Sequence, residues 1–227
     1  MIGFYDYTVI LTYLSLASAG CGIMVALSGG AHPYIGTFFL LFCGLCDAFD
    51  GKVARTKKDR TPAERSFGVQ IDSLSDLVAF GVLPAAIGSA MLRRSDIMVP
   101  VNGTPWERPL GMGLTAILVV YILAAMIRLA WFNVTEEERQ KTEDGARKYY
   151  TGLPVTSSSL IFPLILVLQY IVPADLTLVY FATAVFCSIA FLSPVQIRKP
   201  GLRGVLILVG IGAVEFLLML VGWIPKR

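Results

Sequence analysis

Four aspartates fall between positions 47 and 76 of a chain that is otherwise largely apolar. Asp47 and Asp50 belong to Asp47-Ala48-Phe49-Asp50-Gly51-Lys52-Val53-Ala54-Arg55, and Asp72 and Asp76 to Gly68-Val69-Gln70-Ile71-Asp72-Ser73-Leu74-Ser75-Asp76. At ~100° per residue, Asp47, Asp50, Gly51 and Ala54 share one helical face, and Gly68, Asp72 and Asp76 share one face of a second helix. The positions on these faces that are not acidic are Gly or Ala, which lets two backbones approach closely and leaves room for a bulky ligand. Carboxylates crowded together in a low-dielectric setting do not all stay ionised unless positive charge sits among them. Oxygen-only donors suit hard divalent cations such as Mg²⁺, Mn²⁺ or Ca²⁺ rather than Zn²⁺. Two such ions side by side would clamp a diphosphate and activate a hydroxyl.

The spacing Asp-x-x-Asp-Gly-x-x-Ala-Arg, then Gly-x-x-x-Asp-x-x-x-Asp, resembles the signature of the CDP-alcohol phosphotransferases, integral membrane enzymes of phospholipid synthesis. The resemblance covers residues 8–200. Within that family, the run from Ile71 to Pro84 is similar to the branch that makes phosphatidylserine from CDP-diacylglycerol. So are Ile127-Arg128-Leu129-Ala130-Trp131-Phe132-Asn133, with Trp131 where that branch commonly has a second Arg, and Gly152-Leu153-Pro154.

The resemblance implies an all-α polytopic transmembrane helical bundle, with a six-helix core in residues 1–200 and an additional C-terminal span in 201–227. It implies transfer of a phosphatidyl group from CDP-diacylglycerol to L-serine with release of CMP. Asp47, Asp50 and Asp72 would bind two Mg²⁺ or Mn²⁺ ions, and Asp76 would help hold one and accept the hydroxyl proton. Gly51, Ala54, Arg55 and Gly68 would accommodate the cytidine diphosphate, Thr12 would reach the nucleotide from the first span, and Arg128 would serve the acceptor.

Glycerol 3-phosphate or inositol phosphate is the alternative acceptor within the family. Outside it, the alternative is a cation transporter whose intramembrane acids line an ion path. A transporter leaves the Gly and Ala on the acid faces and the following Arg55 unexplained, and no internal repeat of the kind common in transporters is evident. Twelve residues, Thr56 to Phe67, separate Arg55 from Gly68, a longer loop than is usual in the family. Because it is polar, the loop reads as a solvent-side insertion that leaves both acid faces intact.

The elements that must hold these residues are membrane helices. The 227 residues are 56% hydrophobic and 15% charged, with a mean hydropathy of +0.69. That is more apolar and less charged than soluble domains are. Seven apolar runs, at 8–28, 34–54, 69–92, 110–133, 155–172, 175–193 and 203–223, read as spans. Met1 to Tyr7 lacks Lys and Arg and no cleavage site follows, so the first run reads as a retained span rather than a signal peptide. Thr61-Pro62-Ala63-Glu64 has the form of a capping box with Pro at the first helical position, so the third helix should begin ahead of its apolar run.

Net charge is +3, and the basic residues gather in three loops: Arg55 to Arg65, Arg139 to Lys148, and Arg198 to Arg203. Alternation puts all three on one side with the N-terminus, which the positive-inside rule makes the cytoplasm. The site then faces the cytoplasm from a multi-pass cell membrane protein, with Lys226-Arg227 outside. A basic collar of this kind meets the anionic membrane surface, and no nucleic-acid partner is expected.

Other polar residues read more plainly. His32, the sole histidine, falls in an outer turn away from the acids, so a carboxylate must be the proton acceptor. Cys43 and Cys46 form a C-x-x-C pair without a second pair and read as small buried residues, and Cys21 and Cys187 also fall in apolar spans. Thr8, Thr12, Ser15 and Ser18 form a stripe expected to bond back to its own helix. Gly81 and Pro84 suggest a kink or a packing contact. Thr156 to Ser159 read as helix packing, and Glu136 to Tyr150 as a charged solvated loop. Glu215 in the last span marks either contact with a second copy, giving a homodimer, or a neutral acid in lipid.

Overall fold

The apolar runs fold into helices in the expected order. The computed structural model describes residues 3–28, 33–142, 149–172 and 174–223. The helices are α1 (Ile10–Leu27), α2 (Pro33–Ala54), α3 (Pro62–Asp76), α4 (Leu83–Arg94), α5 (Glu107–Thr142), α6 (Ser158–Ile171), α7 (Thr177–Leu192) and α8 (Leu202–Trp223). A two-stranded antiparallel ribbon, β1 (Tyr149–Thr151) with β2 (Gln196–Arg198), pairs Tyr150 with Ile197. The fold is an all-α polytopic bundle. His32, Arg147, Lys148, Lys226 and Arg227 lie outside the described residues.

α3 and α4 join through a π-helical segment, Leu77–Val82, into one rod from Pro62 to Arg94 that runs through the centre of the bundle. Pro84 accounts for the irregularity. It has no N–H to give the Phe80 carbonyl, and the Leu83 N–H reaches back five residues to Val78 instead. The orphaned Phe80 carbonyl is satisfied from another helix, by the Tyr121 hydroxyl of α5 at 2.5 Å. The Pro84 carbonyl accepts from the Tyr180 hydroxyl of α7 at 2.7 Å. Both tyrosines are fully buried, and Phe162 packs against both rings, with centroids 5.4 Å from Tyr121 and 4.6 Å from Tyr180. The Gly81–Pro84 stretch is therefore both a helix irregularity and a cross-helix contact. Leu40, Phe80, Leu83, Ile87 and Phe191 complete this core.

Cross-links show which loops share an end. Lys57 bridges Asp6 and Glu64 at 2.7 Å each, tying the N-terminal lead to the loop before α3. The ribbon ties the segment after α5 to the segment after α7, and Asn133 of α5 donates to Ser73 of α3 at 2.7 Å. The basic loops thus meet at one end. At the other, Ser95 hydrogen-bonds Asp175, and Arg93 donates to the Ala26 carbonyl at 2.6 Å. The capping box stands as expected: Thr61 accepts from the Glu64 N–H, and the Glu64 carboxylate accepts from the Thr61 N–H.

Three local expectations change. The charged segment after position 133 continues α5 to Thr142, because Glu136–Arg139 and Glu137–Lys141 pair at helical spacing along it. The fifth and sixth runs form helices of 14 and 16 residues, shorter than the about 20 needed to cross a bilayer. Val155–Ser157 is a 3₁₀ turn, and extended Ser193 before Pro194 ends α7. Among the described residues, five helical rods are long and apolar enough to span: α1, α2, α3–α4, α5 and α8. The hydroxyl stripe of α1 does not serve its own helix but turns inward, with Ser18 donating to the Phe39 carbonyl of α2 at 3.2 Å.

Tyr121→Phe is expected to leave the Phe80 carbonyl unsatisfied and destabilise the bundle by about 1–3 kcal/mol. Thermal unfolding of the detergent-solubilised protein measures this, and an unchanged Tm would mean that another donor serves Phe80.

Candidate active site

Asp47 and Asp50 sit on the last two turns of α2, and Asp72 lies in the third turn of α3. One carboxylate oxygen from each of these three half-buried residues lies within 4.8 Å of the others. Asp76 is one turn further along α3. It is buried at 9% exposure, outside the three-carboxylate group but within electrostatic range of all its members.

The sequence makes this convergence through α1. Small and hydroxylated residues on its inner face let α2 and α3 come close on either side. Cys43 of α2 donates to the Ser15 carbonyl at 3.2 Å, and Ser75 of α3 donates to the Thr12 carbonyl at 3.2 Å. The second bond holds the residue adjacent to Asp76, so Thr12 is placed beside the acids through its backbone. Its side chain is buried. Cys43 and Cys46 are free and buried, in keeping with a packing role.

Two guanidinium groups lie over glycines of the acid-bearing helices. Arg55 folds back over Gly51, where a Cβ would lie 3.3 Å from its Nη1, and Ala54 ends α2 just before it. Arg60, grouped by the sequence with the basic collar, lies over Gly68, where a Cβ would be 2.6 Å from its Nη2. The missing side chains at 51 and 68 thus admit cations. Arg128, on α5, is 5% exposed, and its guanidinium lies 5.5 Å from the Phe132 ring centroid.

Two further polar features are taken up by packing within the chain. The hydroxyls of Ser157 and Ser159 close the turn before α6 by donating to the Pro154 and Thr156 carbonyls, and Ser158 meets Tyr121. Glu215 is buried within the chain, on a helix packed against α2 and α6. Ser73 was not singled out in the sequence. Its place between Asp72 and Leu74 gives no signal, and only its bond to Asn133 shows that it fixes α3 against α5.

Three carboxylates at this separation, with oxygen as the sole donor type, fit a hard divalent cation. The sequence matches the CDP-alcohol phosphatidyltransferase family over residues 8–196, and the chain belongs to that family. This sets aside the transporter reading.

Among curated proteins it is similar to the CDP-diacylglycerol-serine O-phosphatidyltransferase of Saccharomyces cerevisiae, at 33% identity over 58% of this chain and 41% of that protein. The enzyme of that name from Helicobacter pylori is 27% identical over 65% of this chain and 53% of its own length. The archaetidylserine synthase of Methanothermobacter thermautotrophicus is 31% identical over 64% and 51%. The matched stretch thus spans about half or less of these relatives.

Asp50→Asn is expected to weaken Mn²⁺ binding sharply, because it removes one of three converging donors. Asp76→Asn, outside that group, should bind Mn²⁺ with less than about tenfold loss. Titration of Mn²⁺ followed by its electron paramagnetic resonance tests the division, and equal loss in both variants would bring Asp76 into the ligand set.

Proposed function

We propose that the protein transfers a phosphatidyl group from CDP-diacylglycerol to L-serine at the membrane, forming phosphatidylserine and CMP, from a site open to the cytoplasm. The observation that carries the reading is the convergence of Asp47, Asp50 and Asp72 from two helices that each seat an arginine on a glycine. That arrangement suits a diphosphate ester held beside bound cations. The serine acceptor is supported by relatives named for serine transfer, and among the described residues Arg128 is the one buried guanidinium.

In this reading Asp47, Asp50 and Asp72 hold two Mg²⁺ or Mn²⁺ ions, with Asp76 helping. The ions, when bound, supply charge neutralisation for the diphosphate and the departing CMP. Gly51, Ala54 and Gly68 leave space for the cytidine diphosphate, with Thr12 beside it, and Arg55 donates to a phosphate oxygen. Asp76 takes the proton from the serine hydroxyl. The hydroxyl oxygen forms its bond to the phosphorus that carries diacylglycerol, and the bond from that phosphorus to the CMP oxygen breaks. Asp76, protonated in the transfer, then returns its proton to solvent. Arg128 pairs with the serine carboxylate. A phosphorylated acceptor would bring about two negative charges instead of one, which a single buried guanidinium offsets poorly.

Incubating the protein in lipid-detergent micelles with CDP-diacylglycerol and labelled serine should yield labelled phosphatidylserine, while glycerol 3-phosphate should yield none. EDTA should abolish turnover, with recovery in Mg²⁺ or Mn²⁺ and little in Zn²⁺. Phosphatidylglycerol phosphate appearing instead would overturn the acceptor and leave the metal site standing. Asp76→Asn should lower turnover about 10²–10⁴-fold while CDP-diacylglycerol still binds. Arg128→Ala should raise the serine KM more than it alters affinity for CDP-diacylglycerol.

A further inference from the structure

The loop between Arg55 and Gly68 is longer than the family usually has, and it is firmly fixed. Thr56 donates to the Val53 carbonyl at 2.7 Å, so the chain turns directly off the end of α2. Lys57 then reaches both Asp6 and Glu64, and Glu64 is itself locked to Thr61 by the reciprocal cap. The bond from Lys57, followed by that from Thr8, holds the Asp6 carboxyl down at about 2. Asp6 thus stays charged through the physiological range, and the tie would be lost only as pH falls from about 4 towards 2. The packing of Phe4 edge-on against Phe67, with centroids at 5.3 Å, secures the same corner.

This anchored loop lays one side chain along α3, the helix that carries Asp72 and Asp76. Arg60 immediately precedes the cap residue Thr61 and turns back along α3, where its Nη2 donates to the Glu64 carbonyl at 3.2 Å. Its guanidinium rests on Gly68, which lies one turn before Asp72 on the same helical face. Its Nε is buried and has no hydrogen-bond partner. A guanidinium carries five N–H donors, and a buried one left unmatched is costly. No carboxylate forms an ion pair with Arg60 among the described residues. An anionic ligand would supply the acceptor that this donor lacks. Arg55 presents its guanidinium over Gly51, next to Asp50 on α2, as Arg60 does over Gly68 one turn before Asp72 on α3.

We propose that Arg60, supplied by the extended loop, is a second substrate-binding arginine that brackets the diphosphate of CDP-diacylglycerol together with Arg55. This rests on the reading of the site as a phosphatidyltransferase. Arg128 lies within α5, apart from the loop, and is left to the acceptor.

The test is binding of CDP-diacylglycerol to the full chain in detergent micelles, measured calorimetrically with Mn²⁺ present, alongside serine kinetics. Arg60→Gln should weaken CDP-diacylglycerol binding about tenfold to hundredfold with the serine KM unchanged, and Arg60→Lys should recover part of the loss. Gly68→Ala keeps every charge but puts a methyl group where Nη2 now lies, and should weaken binding in the same direction. Matching thermal unfolding of Arg60→Lys and wild type separates these effects from misfolding of the loop.

Wild-type affinity for CDP-diacylglycerol in both Arg60→Gln and Gly68→Ala would overturn the proposal while leaving the enzyme reading intact. A raised serine KM with unchanged CDP-diacylglycerol affinity would move Arg60 to the acceptor and equally overturn it. A wild-type protein that binds no CDP-diacylglycerol would overturn the enzyme reading itself.

Discussion

Carboxylates inside an apolar bundle repel one another and lose hydration, and both costs grow as they approach. Asp47, Asp50 and Asp72 are nevertheless held within 4.8 Å of one another. Much of the architecture serves that closeness. α1 supplies backbone carbonyls for Cys43 and Ser75, drawing α2 and α3 to its two sides. Gly51 and Gly68, on the same two helices, leave room for guanidinium groups rather than carbon. The same crowding that is unfavourable in the bare chain is what would make the site bind cations and a diphosphate.

The rod that carries Asp72 and Asp76 must also keep a fixed rotation, since a turn of a few tens of degrees would swing both acids off the site. Its irregular stretch from Leu77 to Val82 would be a weak point, because Pro84 removes one of its hydrogen bonds. Tyr121 and Tyr180 replace that weakness with two bonds from other helices, and Asn133 adds a third nearer the acids. α5 and α7 therefore act on the site without contributing a carboxylate to it. Gly152, at a φ of 77°, lets the chain turn from β1 towards α6, where its N–H meets the Val195 carbonyl at 2.7 Å. A side chain there would meet the Phe191 carbonyl at 2.6 Å, so the Gly-Leu-Pro run has a packing reason of its own.

Helix order, the capping box before α3 and the pairing of acids on two faces were all legible in the sequence. Each depends on residues three or four apart, and a helix fixes the geometry at that range. The extent of α5 was less legible, because its last turns are polar and held by ion pairs that an apolar pattern cannot reveal. The lengths of α6 and α7 were misjudged for a related reason: hydropathy reports what tolerates lipid, not where prolines and 3₁₀ turns cut the helix.

By itself the sequence determined that the chain is a bundle of membrane helices with two acid-bearing faces bounded by small residues and a following arginine. Tertiary structure alone decided that three of the four aspartates converge while Asp76 lies a turn away. It decided too that the α1 hydroxyls face inward, that Tyr121 serves the carbonyl Pro84 leaves open, and that Arg60 lies on Gly68 rather than in the solvated collar. The physical reason is range. Composition and spacing act along one helix, whereas these contacts join different elements, and their partners are chosen only when side chains compete for the same buried donors, acceptors and space.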